Sequence, residues 1–170
     1  MDNKMICVLA GYDDATEARL SGIQKDLYAA GFSGVQTKDI PMHFTLGSYD
    51  TEREEELKER LTKLADTFPE FDVAFNHVGL FRLPQNDVLF VAPEVSKEML
   101  ALKDHFLDNK DVFRWSAHTT FLIDKPDVIA EALKQVMQDF PAMEGMVNTI
   151  YLYEFWPTRH ILTVHLKEKE

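Results

Sequence analysis

The sequence predicts an α+β domain of two lobes that share one cleft. Two observations carry that expectation. Strand-like and helix-like segments alternate along all 170 residues, the apolar positions switching between a period of two and a period near 3.6. A His-x-Thr tripeptide also occurs once in each half, as His43-Phe44-Thr45 and His118-Thr119-Thr120, each on a strand-like stretch preceded by a helix-like one.

The elements follow in order. Met5 to Ala10 is a continuous apolar run and reads as a first, buried strand, with Cys7 as a small buried hydrophobe. Asp14 and Glu17 form a candidate capping box. Leu20, Ile23, Leu27 and Ala30 follow at helical spacing, and Gly31 is the expected stop. Pro41 breaks the chain, and His43 to Tyr49 returns as a strand. Thr51 and Glu54 offer a second capping box for a helix carrying Leu57, Leu61, Leu64 and Ala65.

Alternation over Phe71, Val73, Phe75, His77, Gly79 and Phe81 predicts a half-buried strand, which turns at Pro84 to Asp87 and returns over Val88 to Ala92. Ser96 is placed to cap a helix bearing Met99, Leu102, Phe106 and Leu107. His118 to Ile123 is the next strand. Pro126 then opens a helix with Ile129, Ala132, Leu133, Val136, Met137 and Phe140, the cleanest helical spacing in the chain. Val147 to Trp156 and Ile161 to Leu166 close it as two strands about a Pro157-Thr158-Arg159 turn. No Gly-, Ser- or Pro-rich linker divides these segments, so residues 1–170 read as one domain.

Composition narrows the function. The formal charge is −11 and no basic cluster is present, which argues against a long nucleic acid as partner. The acidic run from Asp50 to Arg60 reads as the solvated face of a helix. A nucleotide or a short RNA end needs only a few local donors and stays open. No apolar run approaches the length that spans a bilayer, so no membrane contact is expected, and a cytoplasmic monomer is the default. A single cysteine excludes an internal disulfide and a Cys-rich zinc site.

Chemistry concentrates in the two tripeptides. Residues i and i+2 of a strand share a face, so each presents an imidazole beside a hydroxyl. Facing halves would bring two imidazoles and two hydroxyls to one cleft, a set suited to acid–base chemistry on a phosphate ester. Phe44, Leu46, Thr119 and Phe121 fall on the opposite face, where the apolar members anchor the core. His77 reads as a packing residue on the face of Phe71, Val73 and Phe75, and His105 as a surface residue; His160 and His165 lie near the last turn and strand. No histidine pair has the i, i+4 spacing of metal ligands, so no metal or cofactor is expected. Arg82, Arg114 and Arg159 are candidate phosphate contacts. Tyr12, Tyr49, Trp115 and Trp156 are candidate stacking groups, with Tyr12 and Trp115 held as weak substrate contacts beside Arg82 and Arg114.

With these residues in place, the chain resembles the 2H phosphoesterase superfamily, and within it the 2′-5′ RNA ligase and cyclic phosphodiesterase group. The resemblance rests on His43-Phe44-Thr45, on His118-Thr119-Thr120 and on Val78-Gly79-Leu80-Phe81 before a hairpin, and it spans nearly the whole chain. It implies a bilobal fold of pseudo-two-fold duplicated α/β lobes, with antiparallel sheets around a central cleft. It implies a hydrolase in which His43 and His118 are the catalytic pair and Thr45 and Thr120 bind the phosphate, without a metal. The implied reactions are hydrolysis of 2′,3′-cyclic phosphates, or making and breaking 2′-5′ phosphodiester links, in a nucleotide or short RNA. A catalytically weak nucleotide-binding module with the same cleft is the alternative from another class.

Overall fold

The computed structural model describes residues 3–111 and 114–170. Its elements run in the order β1 (Met5–Tyr12), α1 (Asp14–Ala29), β2 (His43–Tyr49), a 3-10 turn (Thr51–Arg53), α2 (Glu54–Thr67), β3 (Phe71–Arg82), β4 (Asp87–Pro93), α3 (Lys97–Asp104), β5 (Thr119–Asp124), α4 (Pro126–Asp139), β6 (Met143–Phe155) and β7 (Arg159–His165). The strands form one seven-stranded sheet in the order β2-β1-β6-β3-β4-β5, with β7 also paired to β6. Every strand pair in it is antiparallel. The expected α+β class stands, but the strands join in a single sheet rather than in separate sheets for two lobes. The motif strands β2 and β5 occupy opposite ends of this order, yet they contact each other, so the sheet curls until its ends meet.

The helices pack on one face. Leu20, Ile23 and Leu27 of α1, Leu57, Leu61 and Leu64 of α2, Met99 and Leu102 of α3, and Ile129, Ala132 and Val136 of α4 join a single buried cluster with Ile6, Val8, Phe44, Val73, Leu89 and Ile150 of the sheet. Residues that alternate with these, such as Cys7, Leu9 and Tyr153, or Val88, Phe90 and Ala92, form separate groups on the other face.

Local chemistry explains most boundaries, with corrections. α1 is capped by Asp13, whose carboxylate accepts from Thr16 N at 3.0 Å, rather than by a box at Asp14. Glu17 is then free to accept from Met42 N at 3.0 Å, which ties the end of the loop before β2 to α1. At the other end, Gly31 (φ 99°) follows the cap, and its N–H and that of Phe32 bond back to Tyr28 O and Leu27 O, the paired bonds of a Schellman ending. α2 begins through the 3-10 turn, without a side-chain capping bond from Thr51. Ser96 caps α3 as expected, accepting from Met99 N at 3.1 Å. Pro126 opens α4 at a position where its missing N–H costs nothing.

The helical stripes overreach at two points, since Leu107 and Met137 are exposed. His77 is also corrected. A register shift between Phe75 and His77 leaves Asn76 as the extra residue and sends His77, now exposed, to the face opposite Val73 and Phe75. The acidic run is the solvated face expected. Arg53 and Arg60 pair with Glu56 and with Asp108 beyond α3, and Lys58 pairs with Glu54 and Glu55. Among the described residues, no helix is long and apolar enough to cross a membrane.

Candidate active site

The first motif sits on β2 and the second enters β5, with His118 immediately before that strand's first residue, and the two strands share a local irregularity. Leu9 pairs with Thr45 but Val8 with Gly47, so Leu46 is an extra residue in β2. Phe90 pairs with Thr120 but Leu89 with Leu122, so Phe121 is an extra residue in β5. Each bulge falls directly after the threonine, and each extra side chain is fully buried. The bulge therefore lets two successive residues face the core while the His and Thr before it face the cleft. An apolar residue after each His-x-Thr is the part of this device visible in the sequence.

The two imidazoles are held alike. His43 Nδ1 lies 2.7 Å from Pro41 O, and His118 Nδ1 lies 2.8 Å from Ser116 O. In both cases the partner is the carbonyl two residues earlier. A carbonyl only accepts, so Nδ1 carries the proton and each neutral ring keeps its lone pair on Nε2.

The surroundings of the two rings differ. His118 meets the edges of Phe81 and Phe90, at centroid distances of 4.7 and 5.4 Å. Gly79 makes room there, since a Cβ on it would lie 2.5 Å from Phe90 Cζ. On the other side His43 pairs with Gly11, and a Cβ on Gly11 would overlap the Tyr151 ring that covers it. Burial pushes His43 down to about 4, helped by the nearby His118 and opposed by the Pro41 carbonyl. Burial lowers His118 as well, against the Ser116 carbonyl. Both rings are thus neutral at pH 7 in the free protein.

A pocket of about 260 Å³ is lined by His43, Thr45 and Thr120, the residue pair of the first motif and the second threonine of the other, while His118 lies outside its lining. Behind it the strands are cross-linked. Trp115 Nε1 donates to Thr45 O at 2.9 Å, and the Tyr12 hydroxyl bonds Thr119 Oγ1 at 2.6 Å. Lys103, buried behind β2, donates to Leu46 O at 2.6 Å.

Tyr12 is a correction: alternation after Gly11 turns it into the core, against Phe44 and Phe75, so it does not face a ligand. Trp115 packs on Phe44 and is tied to Thr45, outside the pocket lining. Arg82 lies 3.2 Å from the buried carboxylate of Asp87. Arg114 is exposed, away from the pocket lining. Arg159 is taken up by Glu54 and Glu154, and Tyr49 is buried with its hydroxyl on Asp108. Of the expected stacking groups, Trp156 alone lines the pocket, beside Phe155. Gly11, Tyr151 and Phe90 are not distinguished by the sequence; their signal is a glycine facing an aromatic side chain on the next strand, directly opposite for Gly79 and Phe90 and two residues along for Gly11 and Tyr151, which needs the register to be read. Among the described residues, no three His, Cys, Asp or Glu side chains converge as metal ligands.

Known proteins share this outline. The family model described as the 2′-5′ RNA ligase superfamily matches residues 12–155. None of the curated sequences compared with the chain matches it. Among solved structures, TT0787 of Thermus thermophilus is similar at 14% identity and a TM-score of 0.64, with 98% of this chain and 100% of that one covered. E. coli LigT complexed with 3′-AMP is similar at 13% identity and a TM-score of 0.64, covering 97% and 99%; LigT is also seen with phosphate. Kluyveromyces marxianus Usb1 is similar at 14% identity and a TM-score of 0.53, covering 96% and 98%. At these identities the likeness is one of fold.

Proposed function

The chain belongs to the 2′-5′ RNA ligase superfamily, and from that premise we propose that it is a metal-independent phosphoesterase that opens 2′,3′-cyclic phosphates of a nucleotide or short RNA end. The observation that carries this reading is the matched pair of imidazoles, each tied through Nδ1 to a carbonyl two residues back. Two rings with Nε2 free, each followed at i+2 by a hydroxyl, supply a base, an acid and two donors to phosphate oxygens. A LigT structure of the same fold holding 3′-AMP supports a ligand of nucleotide size.

The roles follow from the environments. His43 is held neutral the more strongly, so in the singly protonated protein the proton resides on His118. His43 Nε2 takes a proton from water as the water oxygen bonds to phosphorus. The bond from phosphorus to one ribose oxygen breaks, and His118 Nε2 delivers its proton to that oxygen. Thr45 and Thr120 donate to the non-bridging oxygens as charge builds there. Solvent then restores the proton to His118 and removes the one on His43.

The test is turnover of nucleoside 2′,3′-cyclic phosphates and short cyclic-phosphate oligomers in chelator-treated buffer, with His43→Ala and His118→Ala alongside. Wild-type turnover, lowered about 10²- to 10⁴-fold in each variant, is expected. Wild-type protein that is folded, binds nucleotide and turns nothing over supports the binding module instead. Undiminished turnover in either variant overturns the two-histidine mechanism.

A further inference from the structure

His43 Nδ1 is tied to Pro41 O at 2.7 Å. That carbonyl belongs to the Pro41–Met42 peptide, and the N–H of the same peptide donates to the Glu17 carboxylate, at 3.0 Å to Oε2 and 3.2 Å to Oε1. One planar peptide unit therefore links a carboxylate to an imidazole. Resonance couples its two ends. A carboxylate on the N–H draws the amide electrons towards the carbonyl oxygen, which then accepts more strongly from Nδ1. The helix does not need Glu17 for this turn, since Asp13 caps α1. Glu17 is half-buried. The ionisable groups around it are Asp14 and Lys25 on its own helix, Tyr12 on β1, Tyr151 on β6 and His43 itself. Its negative charge helps burial to raise both phenols. The carboxylate thus lies on the side where the Tyr151 ring covers Gly11, the partner of His43. Burial raises Glu17 in turn, opposed by the Met42 N–H and by Lys25. The charged neighbour of the His43 ring is His118. His118 Nδ1 lies 2.8 Å from Ser116 O, and among the described residues no carboxylate accepts from Ala117 N at the other end of that peptide.

We propose that Glu17 is a positioning residue for the reaction: through the Pro41–Met42 peptide it orients the His43 ring, keeps the proton on Nδ1 and stabilises the charge that the ring acquires as base. The inference rests on the reading of His43 as the group that takes a proton from water. As Nε2 takes that proton, the ring becomes an imidazolium and the Nδ1–H bond to Pro41 O tightens. The carbonyl gains negative character, which the Glu17 carboxylate sustains from the N–H side. Glu17 takes no proton in this step and touches neither the water nor the phosphate. Burial weakens His43 as a base, and a carboxylate held one peptide away offsets part of that cost when the ring becomes charged.

Three variants test it. Glu17→Gln removes the charge and keeps an acceptor for Met42 N–H. Glu17→Asp keeps the charge and draws it back by one methylene. Asp14→Asn removes a charge from the same turn of α1 without touching the Met42 peptide. Two readouts are taken: the Nδ1–H resonance of His43 by NMR, assigned with His43→Gln, and kcat and KM against pH on a nucleoside 2′,3′-cyclic phosphate. Glu17→Gln is expected to move the His43 Nδ1–H resonance upfield and leave that of His118 in place. It should lower kcat about 10- to 100-fold, the loss usual when a group orienting an imidazole is removed, with KM nearly unchanged. Without the carboxylate the imidazolium is less favoured, so the acid limb of the kcat profile should move to lower pH. Glu17→Asp should show the same changes, smaller, and carries the test should Glu17→Gln not fold. Asp14→Asn should match wild type. If kcat falls while the resonance and the limb stay fixed, Glu17 only anchors the loop and the relay is overturned. Equal shifts in Asp14→Asn overturn it too, since any nearby charge would then serve. If wild type turns nothing over yet the resonance moves, the link from Glu17 to His43 stands and the role of His43 as base fails.

Discussion

The indole N–H of Trp115 donates to the carbonyl oxygen of Thr45 at 2.9 Å, joining the segment that leads into one motif to the strand that carries the other. Trp115 also packs on Phe44, between His43 and Thr45 in sequence, with the Lys103 ammonium 5.3 Å from its ring. The contact fixes how β2 and β5 approach where the sheet closes on itself. Trp115→Phe keeps most of the packing and leaves the Thr45 carbonyl without its donor. An unpaired, partly buried carbonyl costs ~1–3 kcal/mol, measurable as a lower urea midpoint at unchanged slope. Since the link also sets the spacing of the two hydroxyls, turnover should fall through kcat more than through KM.

Stability should depend on pH through His43. Its folded pKa of about 4 lies below the ordinary 6.5, so the unfolded chain binds the extra proton between those values. The stabilisation is complete above pH 6.5 and is lost as pH falls towards 4, at about 1.4 kcal/mol per pH unit while one proton differs. Denaturant melts of wild type and His43→Gln at pH 4.5, 5.5, 6.5 and 7.5 check this: the gap between them should change below 6.5 and stay constant above. The same shifts place the maximum of kcat/KM on the acid side of pH 6.5, where one ring is protonated and the other is not. Bound phosphate favours both imidazolium forms, so the kcat profile should lie to the alkaline side of the kcat/KM profile. A rate flat between pH 5 and 9 would exclude the two-histidine mechanism.

Gly11 and Tyr151 should behave as a coupled pair. The ring occupies the space a Cβ on Gly11 would need, and Gly11 pairs directly with His43. Gly11→Ala must push the ring aside or strain β1, at ~1–3 kcal/mol. Tyr151→Ala in the same chain should recover most of that loss, giving a coupling energy of ~1 kcal/mol or more in a double-mutant cycle. Additive effects would show that the ring moves freely.

These pairs mark where sequence reading stops. The alternation of two and 3.6 locates every strand and helix, because burying one face is a local requirement that each segment states for itself. The His-x-Thr pair is legible for the same reason, as i and i+2 share a strand face. Tyr12 is misplaced from sequence because its side depends on how far β1 continues, and β1 runs two residues beyond the apolar stretch. His77 is misplaced because one extra residue at Asn76 reverses every side chain after it. The carbonyls of Pro41 and Ser116 are out of reach, since they belong to the backbone of irregular segments, and the pocket is assembled from β1, α1, the loop before β2, β5 and the end of β6, which are distant in sequence.

The aromatic edges against His118 should set its titration. Phe81 and Phe90 lie 4.7 and 5.4 Å from the ring, and burial is the first cause of its lowered pKa. Desolvation disfavours the imidazolium, and the Ser116 carbonyl favours it. Phe81→Ser removes apolar cover while the carbonyl stays, so the His118 pKa should rise towards 6.5. Proton NMR titration of the imidazole Hε1 resonance reads this directly, with His118→Gln used to assign the signal. As the proposed acid, His118 would then keep its proton to higher pH, and the alkaline limb of the kcat/KM profile should move up by the same interval. Phe81→Leu, which keeps the apolar cover, should leave both nearly in place. A limb that stays fixed while the His118 pKa moves would show that another group delivers the proton to the departing oxygen.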